Sequence, residues 1–127
     1  MEPVAIIVTL ALAQYLWFTL RVGAGRPKYG VEAPHTSGND TWERMFRVQQ
    51  NTLEQLVVFI PAVLMFGAFV SVRWALLPGL LFLVGRQLYS YEYIKRPASR
   101  GPGMGLTLLA NATLVIGAGI GAAVRIF

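Results

Sequence analysis

Four apolar runs, each near the length of a membrane span, constrain this chain more than any other feature. A helix needs ~20 predominantly apolar residues to cross a hydrocarbon core. The first run covers residues 3–22, with no charge between Glu2 and Arg21. The second, 45–70, is polar at its start and apolar from Leu56. The third, 74–93, is interrupted by Arg86, and the fourth, 104–126, carries no charge until Arg125. With their flanks these runs predict helices over 3–22, 41–70, 74–96 and 104–126, in one domain spanning 1–127. The expected fold class is an all-α membrane protein, a bundle of four transmembrane helices. Composition agrees, since hydrophobic residues make up 55% of the 127 and charged residues 13%. A soluble domain this small has a high surface-to-volume ratio and needs more polar side chains to cover itself. The first run does not read as a signal peptide, because Met-Glu-Pro lacks a basic n-region.

The charges orient the spans. Arg21, Arg26, Lys28, Arg44 and Arg47 bracket the first connection, and Lys95, Arg96 and Arg100 lie in the last. The opposite side offers Arg73 and Arg125 against Glu2. The positive-inside rule then places both basic connections in the cytoplasm and both termini outside. The net charge of +5 is thereby mostly a topology signal. A nucleic-acid reading would need a basic face on a soluble module, and none is visible. Cysteine is absent, which excludes disulfides, thiolate metal sites and a cysteine nucleophile. His35, the single histidine, falls in a Gly/Pro/Ser-rich connection and reads as a solvated loop residue, so no metal site is expected.

Local signals punctuate the helices. "RVGAGRPKYGVEAPHTSGND" is dense in Gly and Pro and predicts an irregular connection from Arg21 to Asp40. Asn39, Asp40 or Thr41 can cap the second helix, with Glu43 in its first turn. That helix is expected to start in water and enter the membrane about two turns later. A tight turn is expected around Ser71 to Arg73. Pro61 and Pro78 fall inside spans, where membrane helices tolerate proline. Pro97 is expected to end the third helix, because the residue before a proline avoids the helical region. Gly117 and Gly121 have the spacing that permits close helix contact, with ordinary packing as the expected use.

Polar residues at membrane depth carry the functional signal. Arg47, Asn51 and Glu54 are spaced i, i+4, i+7 and share one helix face, flanked by Gln50, while Gln49 points elsewhere. Arg86, Tyr89, Tyr93 and Arg96 share a face of the third helix, and Arg100 follows Pro97. Ionised groups near hydrocarbon cost several kcal/mol each unless they are paired or face water. One reading is an interhelical network in which Glu54 pairs with Arg47 or Arg86. The other is a pocket for a polar ligand facing the cytoplasm. Glu54 and Glu92 are outnumbered by Arg47, Arg86, Lys95, Arg96 and Arg100, and that excess favours an anionic ligand.

"RVQQNTLEQ" from Arg47 and "YSYEYIKRPASR" from Tyr89 resemble the membrane-associated proteins in eicosanoid and glutathione metabolism (MAPEG). The resemblance covers the whole chain and is nearest to the leukotriene synthase branch and its microsomal glutathione transferase relatives. It implies a homotrimer with active sites between adjacent subunits near the cytoplasmic face. It also implies glutathione as co-substrate, bound in a bent form, a lipophilic electrophile arriving from the bilayer, and membrane lipid around the trimer. The implied activity is conjugation of glutathione to lipophilic electrophiles, with a glutathione peroxidase activity left open. By position, Arg47, Gln49, Asn51, Glu54, Tyr89 and Tyr93 are the implied glutathione contacts. Arg26 is the implied partner of a glutathione carboxylate, and Arg100 of the thiolate. Arg96 is the rival for that last role, and Gln55 stands where the leukotriene branch has a tyrosine.

Chemistry supports those assignments. An arginine fork suits each glutathione carboxylate, Glu54 suits the amine, and Asn51 and the tyrosine hydroxyls suit the peptide groups. A free thiol with pKa ~8.5 is mostly protonated at neutral pH, and a neighbouring guanidinium lowers that value. Two other classes stay open. A noncatalytic lipid-binding scaffold of the same fold would differ by not binding glutathione. A small four-helix exporter would want an acidic residue in helix one for proton coupling, where only Gln14 stands.

Overall fold

The computed structural model describes residues 1–127 and contains four long helices. These are α1 (Glu2–Tyr29), α2 (Asp40–Phe69), α3 (Val72–Lys95) and α4 (Gly101–Ile126), with a 3-10 turn at Pro97–Ser99. Contacts give their directions. Thr19 meets Gln49 and Val22 meets Trp42, so α2 runs antiparallel to α1. Phe59 stacks on Phe82 at 3.9 Å while Arg44 reaches the Ile94 carbonyl, so α3 runs antiparallel to α2. α4 returns alongside α2, with Gln55 bonded to Asn111.

Each helix begins where its sequence can satisfy the first free N–H groups. The Asn39 side chain accepts from Trp42 N at 3.0 Å, and Ser71 accepts from Trp74 N at 3.1 Å. Ser71 therefore belongs to the cap of α3, and the connection from α2 is shorter than the sequence predicts. Pro61 and Pro78 lie inside continuous helices. Arg96, just before Pro97, is extended at φ −147° and ends α3.

The first helix departs from expectation. It does not stop at Val22 but continues through Gly23, Gly25 and Pro27 to Tyr29. Trp42, wholly buried, explains the extension: its indole N–H donates to the Val22 carbonyl at 3.0 Å, and its ring lies against Gly25. Val22, Val31 and Trp42 form a small apolar cluster that ties these added turns to α2. Gly30 then ends the helix in the left-handed region at φ 70°, where a side chain would be strained. At the other end of the chain, α4 starts at Gly101, three residues before the apolar run.

Apolar side chains fill the inside of the bundle and cover much of its outside as well. A core of Val4, Ile7, Leu56, Phe59, Val63, Phe82 and Leu114, with small alanines, runs through the bundle. Outside it, Leu10, Leu16, Val57, Leu77, Leu108, Ile116 and Ile120 are all exposed. Exposed apolar surface on that scale marks a partner or lipid. Three helices, α1, α2 and the segment containing α4, are long and apolar enough to cross a membrane. The expectation of four such spans is therefore corrected to three. α3 has the length, but Arg73, Arg86, Gln87, Ser90 and Glu92 dilute its hydropathy.

Glycine sets the approach of α4 to α3. A Cβ on Gly103 would collide with the Tyr89 backbone, so the two helix backbones touch where the polar residues gather. Gly117 and Gly121 make similar close contacts with Phe66 and with the Phe69 carbonyl of α2.

Candidate functional site

The polar faces of α2 and α3 meet at the basic end of the bundle and enclose a cavity of about 340 Å³. Its walls are Arg47, Gln50, Asn51 and Glu54 from α2, Tyr89 and Tyr93 from α3, and Arg100 from the turn into α4. The volume lies within the ~300–1,000 Å³ usual for ligand pockets.

The deepest wall is fixed by Arg86. This side chain is 0% exposed, and its Nη2 donates to Asn51 Oδ1 at 2.9 Å. A guanidinium can only donate, so the amide oxygen of Asn51 must face it, which leaves the Asn51 NH2 as a donor toward the cavity. The Arg86 guanidinium also lies 4.3 Å from the Tyr89 ring centroid, and Tyr89 stacks on Tyr93 at 5.4 Å. Arg86 Nε and Nη1 are buried without a partner. Asn51, Tyr89 and Tyr93 are thereby held as one packed unit.

The mouth is different. Arg47, Glu54 and Arg100 are exposed, and the one ion pair in the chain is between the N-terminal amine and Glu2. The network reading, with Glu54 paired to Arg47 or Arg86, is therefore not formed. Glu92 is occupied elsewhere: its Oε1 accepts from Gly103 N at 3.2 Å and so caps α4. Two guanidiniums and one carboxylate are left facing the cavity without charged partners.

Other residues singled out from the sequence lie elsewhere in this chain. Gln49 donates to Thr19 Oγ1 at 3.1 Å, against α1. Arg26 donates to the His35 carbonyl at 2.8 Å, lies 4.7 Å over the Trp42 ring, and borders a separate cavity with Pro27 and Glu32. Gln50 occupies the wall where Gln49 does not, as helical geometry implies for the residue flanking that face. Arg96 does not line the cavity, because the backbone has already left the helix there, whereas Arg100 does. Arg86 was legible as part of the α3 face, but its bond to Asn51 was not, since nothing in spacing favours Asn51 over Glu54 as its partner.

Fold and site together define a class: an all-helical membrane-type protein with a cup of arginine, carboxylate, amide and tyrosine at its basic end. The chain belongs to the MAPEG family, whose profile matches residues 4–120. It is 36% identical to human microsomal glutathione S-transferase 2, over 91% of this chain and 80% of the relative. It is 33% identical to mouse leukotriene C4 synthase, over 74% of this chain and 65% of that protein. An uncharacterised protein of Synechocystis sp. is 41% identical over 90% of this chain and 83% of its own length.

Proposed function

We propose that the chain is an integral membrane glutathione transferase, working as a homotrimer with its sites at the cytoplasmic face. The observation that carries this is the cavity whose two guanidiniums, carboxylate, amide NH2 and tyrosine hydroxyls converge without charged partners. Glutathione suits that set: a cation for a carboxylate, an anion for the amine, hydrogen-bonding groups for two peptide units and a cation beside the thiol, with Arg26 of a neighbouring copy left to take the second carboxylate. Arg47 takes a carboxylate, Glu54 the amine, and Asn51 with Tyr89 and Tyr93 the peptide groups.

Arg100 faces the thiol. Its guanidinium favours the thiolate, and the released proton leaves through the open mouth to water. The thiolate attacks the electrophilic carbon of a lipophilic substrate, a C–S bond forms, and the leaving group departs with its electron pair. In additions, the displaced electron pair takes a proton instead. Membership of a family with glutathione transferases among its named members supports this chemistry.

The same reading explains Arg26 and Gln49. Both lie on the α1 side of the chain, away from the cavity. They reach a bound glutathione only if a second copy presents its α1 side to this cavity.

The direct test is conjugation of glutathione to a generic aryl halide by purified protein in detergent. Turnover that disappears on boiling and saturates with glutathione is expected. Glutathione binding without turnover would assign the chain to a noncatalytic role, and absence of binding would overturn the reading.

A further inference from the structure

Arg21 and Lys95 have no part in the glutathione cup, yet they meet in a cavity of their own. It measures about 230 Å³, opens between α1 and α3, and is lined by Arg21, Gln87, Ser90, Tyr91, Ile94 and Lys95. A second cavity of about 340 Å³ shares Arg21 and continues past Trp17, Lys28 and Tyr29. No acidic residue lines either one.

The donors there are unspent. Arg21 Nη1 donates to the Ser90 hydroxyl at 3.2 Å. Ser90 therefore acts as acceptor in that bond and keeps its own proton for another group. Lys95 Nζ touches only the Tyr91 hydroxyl at 3.4 Å, its ammonium 5.4 Å from the same ring. Neither cation has a carboxylate partner.

The surroundings are those of a headgroup boundary. Trp17 is 55% exposed and Tyr91 64%, and such aromatic side chains sit where hydrocarbon meets water. Further along the same two helices, away from the basic end, Leu10 on α1 and Leu80 and Val84 on α3 are exposed apolar residues. A soluble anion would find the donors but leave that apolar surface bare.

We propose that this cavity binds the phosphate of an anionic phospholipid, held by Arg21, Lys95 and the Ser90 hydroxyl, with acyl chains along α1 and α3. A phosphate offers several acceptor oxygens to an arginine fork, a point-charge ammonium and a hydroxyl together. The proposal rests on the membrane reading and not on the glutathione reading, so each can fail without the other.

Native mass spectrometry of the full protein in neutral detergent tests it, with phosphatidylglycerol and phosphatidylcholine as probes. Wild type is expected to retain phosphatidylglycerol over phosphatidylcholine by about fivefold for each cation engaged. Arg21→Gln with Lys95→Gln should erase the preference and Lys95→Gln alone should lower it, while Arg96→Gln, which removes one charge at the same end as Lys95→Gln does, should keep it. Glutathione affinity of the double variant should be unchanged. Equal retention of both lipids by wild type, or a preference that survives the double variant, overturns the proposal. Displacement of the lipid by inorganic phosphate at matched concentration would assign the site to a soluble phosphate ester and equally overturn it. If Arg21→Gln fails to fold, Lys95→Gln alone, at an exposed position, must still lower the preference, and no change there overturns it.

Discussion

Asn51 shows how one buried contact decides what a pocket can recognise. Its oxygen is taken by Arg86, so the group it offers to a ligand is a donor. Asn51→Asp should keep the contact to Arg86, even strengthen it by making it an ion pair, yet turn the cavity side into an acceptor. We expect thermal stability to hold while glutathione affinity, read by calorimetry, falls about tenfold or more, as for a lost hydrogen bond in a charged site. Unchanged affinity would mean that the Asn51 amide does not face the ligand. Glu54 and Arg47, exposed and unpaired, call for a different outcome. Glu54→Gln and Arg47→Ala should each cost ~1.5–3 kcal/mol of glutathione binding with assembly intact. Normal binding with broken oligomers would instead give these residues a structural role.

At the scale of elements, the site depends on how α4 meets α3. Gly103 lies against the Tyr89 backbone, and the Glu92 carboxylate caps Gly103, so one contact sets both a tyrosine wall and the start of α4 behind Arg100. Gly103→Ala should force the helices apart at a cost of ~1–3 kcal/mol, as for overpacking generally. A lowered melting temperature together with weaker glutathione binding is expected. Wild-type values for both would show that the contact is slack. The helices themselves were legible because apolar runs and caps are local: of the three cap candidates Asn39, Asp40 and Thr41, Asn39 caps α2. The final turns of α1 were not, because the Gly and Pro of 21–29 argue for a loop. What overrides them is the indole of Trp42, bonded across 20 positions of sequence. The hydropathy of α3 misled in the opposite direction, since its apolar first half conceals how polar its second half is.

The whole molecule divides the candidate site in two. Arg47, Asn51, Glu54, Tyr89, Tyr93 and Arg100 line one cavity, whereas Arg26 and Gln49 face the α1 side of the chain. Five of the first group shared helix faces by spacing alone, whereas Arg100 came from the family resemblance, since spacing put Arg96 on the tyrosine face. That the second lies apart was not readable, because spacing along a helix says nothing about which neighbour it packs against. A homotrimer that brings the α1 side of one copy to the cavity of the next would reunite them. Native mass spectrometry in detergent should show a trimer, and monomer or dimer alone would remove the basis for a shared site. In the proposed mechanism Arg100 stabilises the thiolate, so Arg100→Ala should slow conjugation most at neutral pH. The deficit should shrink as pH rises, because the unassisted thiol then ionises without help. The most direct measurement of the central claim is the ultraviolet absorbance of thiolate on titrating glutathione into wild type, Arg100→Ala and Arg96→Ala at neutral pH. The arrangement of the cavity predicts a saturable thiolate signal in wild type and Arg96→Ala that is lost in Arg100→Ala with glutathione still bound. A signal that persists in Arg100→Ala, or none in wild type when glutathione is bound, would contradict it.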